Sequence, residues 1–195
     1  MFKRGLVFGL VMCFATAANA GTTSLLSLEP QTPGPYLDND TVMVDIFFVN
    51  NEGVDIQLRQ LTLDFADTDP ALGLPASFEF NTAGLVADAL YQKFPNLPKV
   101  DMVYTSGSPT TGFIIDVADG ATWLVGSIEV TLPDTGGLGG PFTLDAINAD
   151  TPDQNNGAYF AYGFDPRTNL SPVFENLGGG TVDLTVVPEP ATLAL

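Results

Sequence analysis

The sequence contains no histidine and a single cysteine, and only 6 of its 195 residues are lysine or arginine, against 23 aspartates and glutamates. The absence of histidine excludes Ser-His-Asp and Cys-His catalytic couples, imidazole metal ligands and the usual proton carrier near neutral pH. The formal net charge of -17 argues against nucleic acid and anionic lipid as partners, because both bind through surfaces rich in lysine and arginine. Carboxylate and hydroxyl chemistry remain.

The first 20 residues have the order of a secretory signal peptide. A short basic start is followed by an apolar run at residues 6–15, which is too short to span a bilayer, and by Ala-Asn-Ala at residues 18–20. We expect cleavage between Ala20 and Gly21, and therefore an exported protein whose folded domain covers residues 21–187. At 45% hydrophobic residues, this length is enough to fill the core of one all-β domain.

Cleavage at that site would also remove the only cysteine, Cys13, together with Lys3 and Arg4. The basic residues fall from 6 to 4 against 23 acidic residues, which gives the exported chain a net charge of -19. A chain without cysteine has no disulfide in the oxidising environment outside the cell. Its stability must then come from core packing or from bound ions.

The C-terminal residues 188–195 begin with Pro188, Glu189 and Pro190, directly after Val187. This sequence resembles the PEP-CTERM sorting signal of bacterial exosortase substrates, in which Pro-Glu-Pro precedes a transmembrane helix and an arginine-rich tail. The resemblance implies an exosortase-type processing enzyme as a partner and a Gram-negative-type bacterium as the source. It also implies a place in the cell envelope or in an exopolysaccharide matrix. Because few apolar residues and no arginine follow Pro190, we expect no stable membrane span in this chain. The alternative is a stiff, extended tail after the last strand.

Between the two ends, short segments of alternating apolar and polar residues are separated by Gly, Pro, Asn and Asp. This pattern predicts an antiparallel β-sandwich, jelly-roll or cohesin-like, of about 9–10 strands. The predicted strands cover residues 24–28, 42–49, 54–65, 77–81, 100–105, 113–117, 123–132, 142–148, 158–164 and 181–187.

Two local patterns add detail to these segments. The apolar phase changes between Leu58 and Leu61, which predicts a β-bulge near Arg59 and Gln60. Residues 84–94 predict one short helix, because five apolar side chains recur there at helical spacing.

The order of these features resembles a cohesin-like β-sandwich over most of residues 22–187. An early strand, an Asp-bearing strand ending at Phe65, a mid-chain helix and a late strand at 123–130 carry the resemblance. It implies a module that captures another surface protein. Related sandwiches, including carbohydrate-binding modules, have a similar pattern, so adhesion to a glycan is an alternative.

Clusters of aspartate suggest calcium as a cofactor, because calcium prefers six to eight oxygen ligands. The best candidates are Asp64, Asp67 and Asp69, at the end of a predicted strand. The alternative is that these side chains accept hydrogen bonds from the backbone of their own turns.

A sugar-binding surface would need exposed aromatic rings on which sugar rings stack. Trp123 and Tyr159 are the candidates. In the strand 123–132 we expect Leu124 and Ile128 to face the core and Trp123 to face outward.

A glycoside hydrolase would need two carboxylates in one cleft. Only Glu79 and Glu129 among the scattered glutamates lie in the middle of predicted strands. With no recognisable catalytic motif, we expect no catalytic residue. The sequence therefore favours an exported, non-enzymatic surface or matrix protein, with an adhesion module and a carboxylate hydrolase as the alternatives.

Overall fold

The structure, a computed structural model, describes residues 24–81, 91–94, 96–104, 115–148, 158–162 and 173–188. The predicted signal peptide with Ala20 and Gly21, and the residues Glu189 and Pro190, lie outside the described residues. Within them, the regular structure is entirely β-strand. The strands are β1 (Leu25–Pro30), β2 (Thr41–Val49), β3 (Ile56–Asp64), β4 (Glu79–Phe80), β5 (Tyr91–Phe94), β6 (Lys99–Tyr104), β7 (Ile115–Val117), β8 (Thr122–Thr131), β9 (Gly140–Asp145), β10 (Tyr159–Tyr162), β11 (Val173–Asn176), β12 (Gly178–Gly179) and β13 (Thr181–Val186).

The strands form two larger sheets and one small one. The five-stranded sheet has the order β12-β1-β2-β8-β4, and the six-stranded sheet has the order β11-β10-β3-β6-β5, with β7 also paired to β3. Strands β9 and β13 form the small sheet. All these pairings are antiparallel except that of β1 with β12. The predicted antiparallel β-sandwich is confirmed.

The core lies between the two larger sheets. In β2, Val44, Ile46 and Phe48 alternate with more exposed residues and are each 0% exposed, because side chains of a strand point alternately to its two faces. Phe48 of the five-stranded sheet makes an edge-to-face contact with Phe160 of the six-stranded sheet, with ring centroids 5.1 Å apart. This contact joins the two layers.

The β-bulge predicted near Arg59 and Gln60 is confirmed. Opposite β10, Gln60 pairs with Ala161 whereas Leu58 pairs with Tyr162, so Arg59 is the extra residue of β3. The bulge returns both Leu58 and Leu61 to the core, where each is 0% exposed. One strand therefore accommodates both apolar phases.

A second bulge, in β8, was not predicted and changes the orientation of Trp123. Ile46 of β2 pairs with Gly126 and Phe47 pairs with Leu124, so Val125 is the extra residue. Beyond the bulge, Trp123 pairs with the core residue Phe48 and packs against the core. The expectation that Trp123 faces outward and Leu124 inward is wrong, because the bulge shifts the alternation by one residue.

The helix predicted over residues 84–94 is wrong for its last four residues. Tyr91–Phe94 is the strand β5, which pairs with β6. Residues 82–90 lie outside the described residues. Backbone pairing with a neighbouring strand outweighs the helical spacing of apolar residues, since local periodicity is a weak guide when tertiary contacts compete.

Candidate functional site

A groove of about 650 Å³ lies on the outer face of the five-stranded sheet, where the short edge strand β4 runs beside β8. Its lining combines carboxylates with apolar and polar side chains, among them Met43, Glu79, Phe80, Leu124, Ser127 and Glu129. Because β4 is only two residues long, the groove stays open at the edge of the sheet. Concave surfaces that combine apolar walls with a few polar groups are typical of ligand sites.

Strand β4 is held in place by a close approach to Gly126 of β8. A Cβ at Gly126 would collide with the carbonyl oxygen of Glu79 and would lie 2.7 Å from Cζ of Phe78. The ring of Phe78 is buried, and its centroid lies 5.0 Å from that of Phe80 in an edge-to-face contact. The aromatic rings beneath the sheet thus fix the strand that carries Glu79.

The groove brings together Glu79 and Glu129, which lie far apart in the sequence. Glu79 pairs with Ser127, and Glu129 lies two residues further along β8 on the same face. Diagonal neighbours of this kind have Cα atoms about 7–8 Å apart. Both side chains are exposed, and among the described residues neither forms a hydrogen bond or an ion pair. Two such carboxylates can attract a cation, and they are also the residue type that a glycosidase requires.

A third carboxylate, that of Asp45, lies next to this groove. Its Oδ1 accepts hydrogen bonds from Oγ of Ser127, at 2.5 Å, and from Nε2 of Gln31, at 2.8 Å. Asp45 pairs with Ser127 on one side and with Glu29 of β1 on the other. Four neighbouring strands, β1, β2, β8 and β4, therefore present carboxylates on one face.

The predicted calcium ligands are placed at a turn after β3, where two of them bond to the backbone. Oδ1 of Asp64 accepts a hydrogen bond from the amide of Ala66 at 3.1 Å, and Oδ1 of Asp69 accepts one from the amide of Ala71 at 2.9 Å. These contacts are typical of aspartates that stabilise turns. Asp67 is exposed. The part of the chain that the structure describes has no group of three or more acidic residues close enough to hold a metal ion, so calcium binding stays a prediction.

The structure places Asp145 of β9 within electrostatic reach of Asp64 and Asp67. Burial raises the pKa of Asp145, the amide of Ile147 donates a hydrogen bond that lowers it, and repulsion from Asp67 and Asp64 raises it further. The pairing of β9 with β13, and the hydrogen bond from the amide of Asp64 to the carbonyl of Ala146, bring these segments together. A contact between residues so far apart in sequence could not be found from local spacing.

The two aromatic candidates for sugar binding lie in different sheets. Trp123 of β8 faces the core, as described above, while Tyr159 of β10 belongs to the six-stranded sheet and is 9% exposed. The Tyr159 hydroxyl accepts a hydrogen bond from Nε2 of Gln60 at 2.7 Å, and Nζ of Lys99 lies 5.9 Å from the ring centroid. The two rings do not form one exposed surface on which a sugar could stack.

The predicted sorting motif begins where the sandwich ends. Strand β13 ends at Val186, and the amide of Val187 donates a hydrogen bond to the carbonyl of Tyr36 at 2.9 Å. Pro188 is exposed. In the described residues, no helix is long and apolar enough to cross a membrane.

Comparisons with known proteins find similar folds but no similar sequence. No protein family matches the chain, and no curated protein matches it either. A type II cohesin domain from the cellulosome of Acetivibrio cellulolyticus is 12% identical, with a TM-score of 0.45 over 83% of this chain and 95% of that chain.

Two further structures are similar at comparable levels. A chain of the CaDoc0917–CaCohA2 complex is 13% identical, with a TM-score of 0.42 over 78% of this chain and 93% of that chain. A protein from Corynebacterium diphtheriae described as membrane anchored is 14% identical, with a TM-score of 0.35 over 90% of this chain and 38% of that chain. At TM-scores this low, the neighbours carry no weight for function, and the proposals below rest on the residues of this chain.

Proposed function

We propose that this chain is an exported, non-enzymatic protein of the bacterial surface or extracellular matrix, with an exosortase-type sorting signal after its β-sandwich. The observation that carries this proposal is the position of the Pro-Glu-Pro sequence. The last strand ends at Val186, Val187 is bonded to Tyr36, and Pro188 is already exposed. A processing enzyme could therefore reach the motif without unfolding the sandwich.

Two further features of the chain support export, one in its sequence and one in its fold. Residues 1–20 have the order of a secretory signal peptide, and the only cysteine lies within them. The described domain is held by a continuous apolar core that spans both large sheets. Such a fold needs no disulfide and keeps a strongly acidic, soluble surface. Exopolysaccharide or another surface protein is the partner that the sorting signal suggests.

Replacement of Pro188, Glu189 and Pro190 by alanine tests the proposal in a bacterium that has an exosortase. We expect the variant to be exported and folded but to lack the processed, surface-associated form seen with the unchanged chain. The matched control changes the same residue types at exposed positions, Pro70, Pro141 and Glu175, and we expect normal processing. Normal processing of both variants would show that the motif is not a sorting signal.

A second candidate function is adhesion through the groove of the five-stranded sheet. The observation that favours it is the open, mixed acidic and apolar lining beside β4. A pull-down from matrix extract with the full chain, and a glycan array, distinguish an adhesion module from a passive matrix component. Loss of the captured partner on changing groove residues would place adhesion at this face.

The carboxylate hydrolase remains the third candidate, because Glu79 and Glu129 share one groove. Hydrolysis of a glycosidic bond needs one carboxyl group as acid and another as base or nucleophile. Release of reducing sugar from matrix polysaccharide by the full chain, abolished in both Glu79→Gln and Glu129→Gln, would establish an enzyme. We expect no release.

Calcium binding is tested by thermal unfolding in calcium and in chelator. One ion present at about 100 times its dissociation constant stabilises a protein by about 2.7 kcal/mol. A rise in melting temperature with calcium that is lost in Asp67→Asn would establish a site at the turn after β3. An unchanged melting temperature would leave Asp64 and Asp69 as the turn residues that their hydrogen bonds indicate.

A further inference from the structure

Charge is unevenly divided between the two large sheets. The strands of the five-stranded sheet contain no lysine or arginine, whereas Arg59, Lys93 and Lys99 lie in strands β3, β5 and β6 of the six-stranded sheet. The five-stranded sheet instead has four carboxylates in its strands, Glu29, Asp45, Glu79 and Glu129. One side of the sandwich is thus acidic without any compensating base in its strands.

These carboxylates lie on the outer face in adjoining register. Glu29 pairs with Asp45, Asp45 pairs with Ser127, and Ser127 pairs with Glu79. At about 4.8 Å between strands, this line crosses about 14 Å of sheet. Like charges directly opposite each other destabilise a sheet, so the fold itself gains nothing from the Glu29–Asp45 pair. A positively charged occupant would relieve the repulsion.

Apolar side chains border the acidic line on both sides. On one side, beyond the bulge at Val125, Phe47 and Leu124 pair with each other on the same outer face, and Leu124 also lines the groove. On the other side, Met43 pairs with Glu129 and is 36% exposed. An occupant that fits this face therefore combines positive charges with apolar groups.

The placement of the aromatic rings favours a peptide over a glycan. Sugar rings bind proteins largely by stacking on exposed aromatic faces, but Trp123 is turned into the core and Tyr159 lies buried in the other sheet. Phe47 has its ring on this outer face, but it is only partly exposed. Lysine and arginine side chains can form ion pairs with the carboxylates of this face, and leucine-like side chains can pack against Phe47, Leu124 and Met43. A peptide can supply both kinds of group in alternation.

We propose that the groove and outer face of the five-stranded sheet dock an extended, lysine- or arginine-rich segment of a second protein, with apolar residues between its cations. The proposal deepens the adhesion function and rests on it, but not on the sorting signal. The partner's cations lie against Glu79 and Glu129 in the groove, and its apolar residues lie against Leu124 and Met43.

The test measures binding of labelled peptides to the full exported chain by fluorescence anisotropy, at physiological salt, where weak surface attraction is screened. The probe is a 12-residue peptide of alternating lysine and leucine. The same length of alternating lysine and serine tests the apolar contribution, and an oligomer of deacetylated chitin tests a cationic glycan. We expect the lysine–leucine peptide to bind most tightly.

A double variant, Glu79→Gln with Glu129→Gln, removes two charges from the groove. Its control, Asp116→Asn with Glu175→Gln, removes two exposed charges from the six-stranded sheet. We expect the groove variant to bind the lysine–leucine peptide roughly 5-fold or more weakly, as the loss of two exposed ion pairs would give, and the control less than about 2-fold.

Three results would overturn the proposal. Equal weakening by both double variants would show attraction by net charge alone. Equal affinity for the serine and leucine peptides would show that apolar contacts do not contribute to binding. Groove-dependent binding of the chitin-derived oligomer without binding of the peptide would make the occupant a glycan. None of these results bears on export or processing, so failure here is distinct from failure of the sorting-signal proposal.

Discussion

Gly126 and Phe78 lie in such close contact that no side-chain atom fits between them. The position of a Cβ at Gly126 is 2.7 Å from Cζ of Phe78, well inside the distance at which carbon atoms meet. The contact supports β4 from below and so shapes the wall of the groove. Its consequences can be measured without any knowledge of the ligand.

Gly126→Ala should destabilise the fold, because the new methyl group displaces both Phe78 and the backbone of Glu79. Overpacking of this kind costs about 1–3 kcal/mol, measured by urea unfolding of the exported domain. The control is Gly178→Ala, where the nearest atom is Cβ of Leu25 at an ordinary 3.8 Å. Equal stability of Gly126→Ala and the unchanged chain would mean that β4 does not lie against β8 as described.

Trp123→Ala should lower stability rather than remove a binding surface. The bulge at Val125 places Trp123 opposite Phe48 and against the core. For a partly buried ring we expect a loss of about 2 kcal/mol, less than the cost for a fully buried one. Thr122→Ala, at the neighbouring exposed position, should cost much less. If Trp123→Ala instead abolished glycan binding and left the free energy of unfolding unchanged, Trp123 would face outward.

Asn50→Ala should be among the most damaging polar changes. Asn50 is 0% exposed, and its Nδ2 donates to the carbonyl oxygens of Val54 and Val117 at 2.9 Å each. Its Oδ1 accepts a hydrogen bond from the amide of Glu52 at 3.0 Å. Removal breaks three hydrogen bonds to backbone groups, for which we expect about 3 kcal/mol of destabilisation in urea unfolding.

The control for that change is Asn96→Ala, because Asn96 is exposed. Surface substitutions away from special features change stability by about 0.5 kcal/mol or less. If both asparagines gave the same small effect, the loop at Asn50 would not be held by its side chain.

Asp145→Asn should have a pH-dependent effect on stability. The pKa of Asp145 is raised in the folded state, chiefly by burial and then by Asp67 and Asp64, so the unfolded chain loses this proton first as the pH rises. Stability from this group therefore falls as the pH rises above the ordinary value of 3.8. Asparagine carries no charge and keeps an oxygen for the amide of Ile147.

Unfolding free energies measured from about pH 3 to about pH 7 test this sign. The stability of Asp145→Asn relative to the unchanged chain should increase with pH. Asp116→Asn, at an exposed position, supplies the comparison. A relative stability that decreased with pH would mean that Asp145 is stabilised as a carboxylate, as a bound cation would make it.

The sequence was informative where alternation was clear and each strand had one buried face. Strand β2 and the bulge at Arg59 could be predicted because the alternation of apolar and polar residues is clear in the sequence and burial of one face fixes the register. The bulge at Val125 could not be predicted in this way. Leu124 and Val125 are both apolar, so the change of phase cannot be seen in the sequence. The predicted orientation of Trp123 is therefore opposite to the observed one.

Contacts between distant segments could not be predicted from spacing alone. The apolar residues of 84–94 recur at helical spacing, yet Tyr91–Phe94 is a strand that pairs with β6. Glu79 and Glu129 meet in one groove only because the two-residue strand β4 pairs with β8. The same limit applies to Asp145, whose pKa is raised chiefly by burial and further by Asp67 and Asp64, which lie far from it in the sequence.

The most direct test of the central claim is mass spectrometry of the protein recovered from the outside of a bacterium that expresses the gene. Export through a cleaved signal peptide predicts that the N-terminal peptide begins at Gly21. It also predicts that the protein is found outside the cytoplasm. A chain that still begins at Met1 and stays in the cytoplasm would contradict the claim of an exported surface or matrix protein.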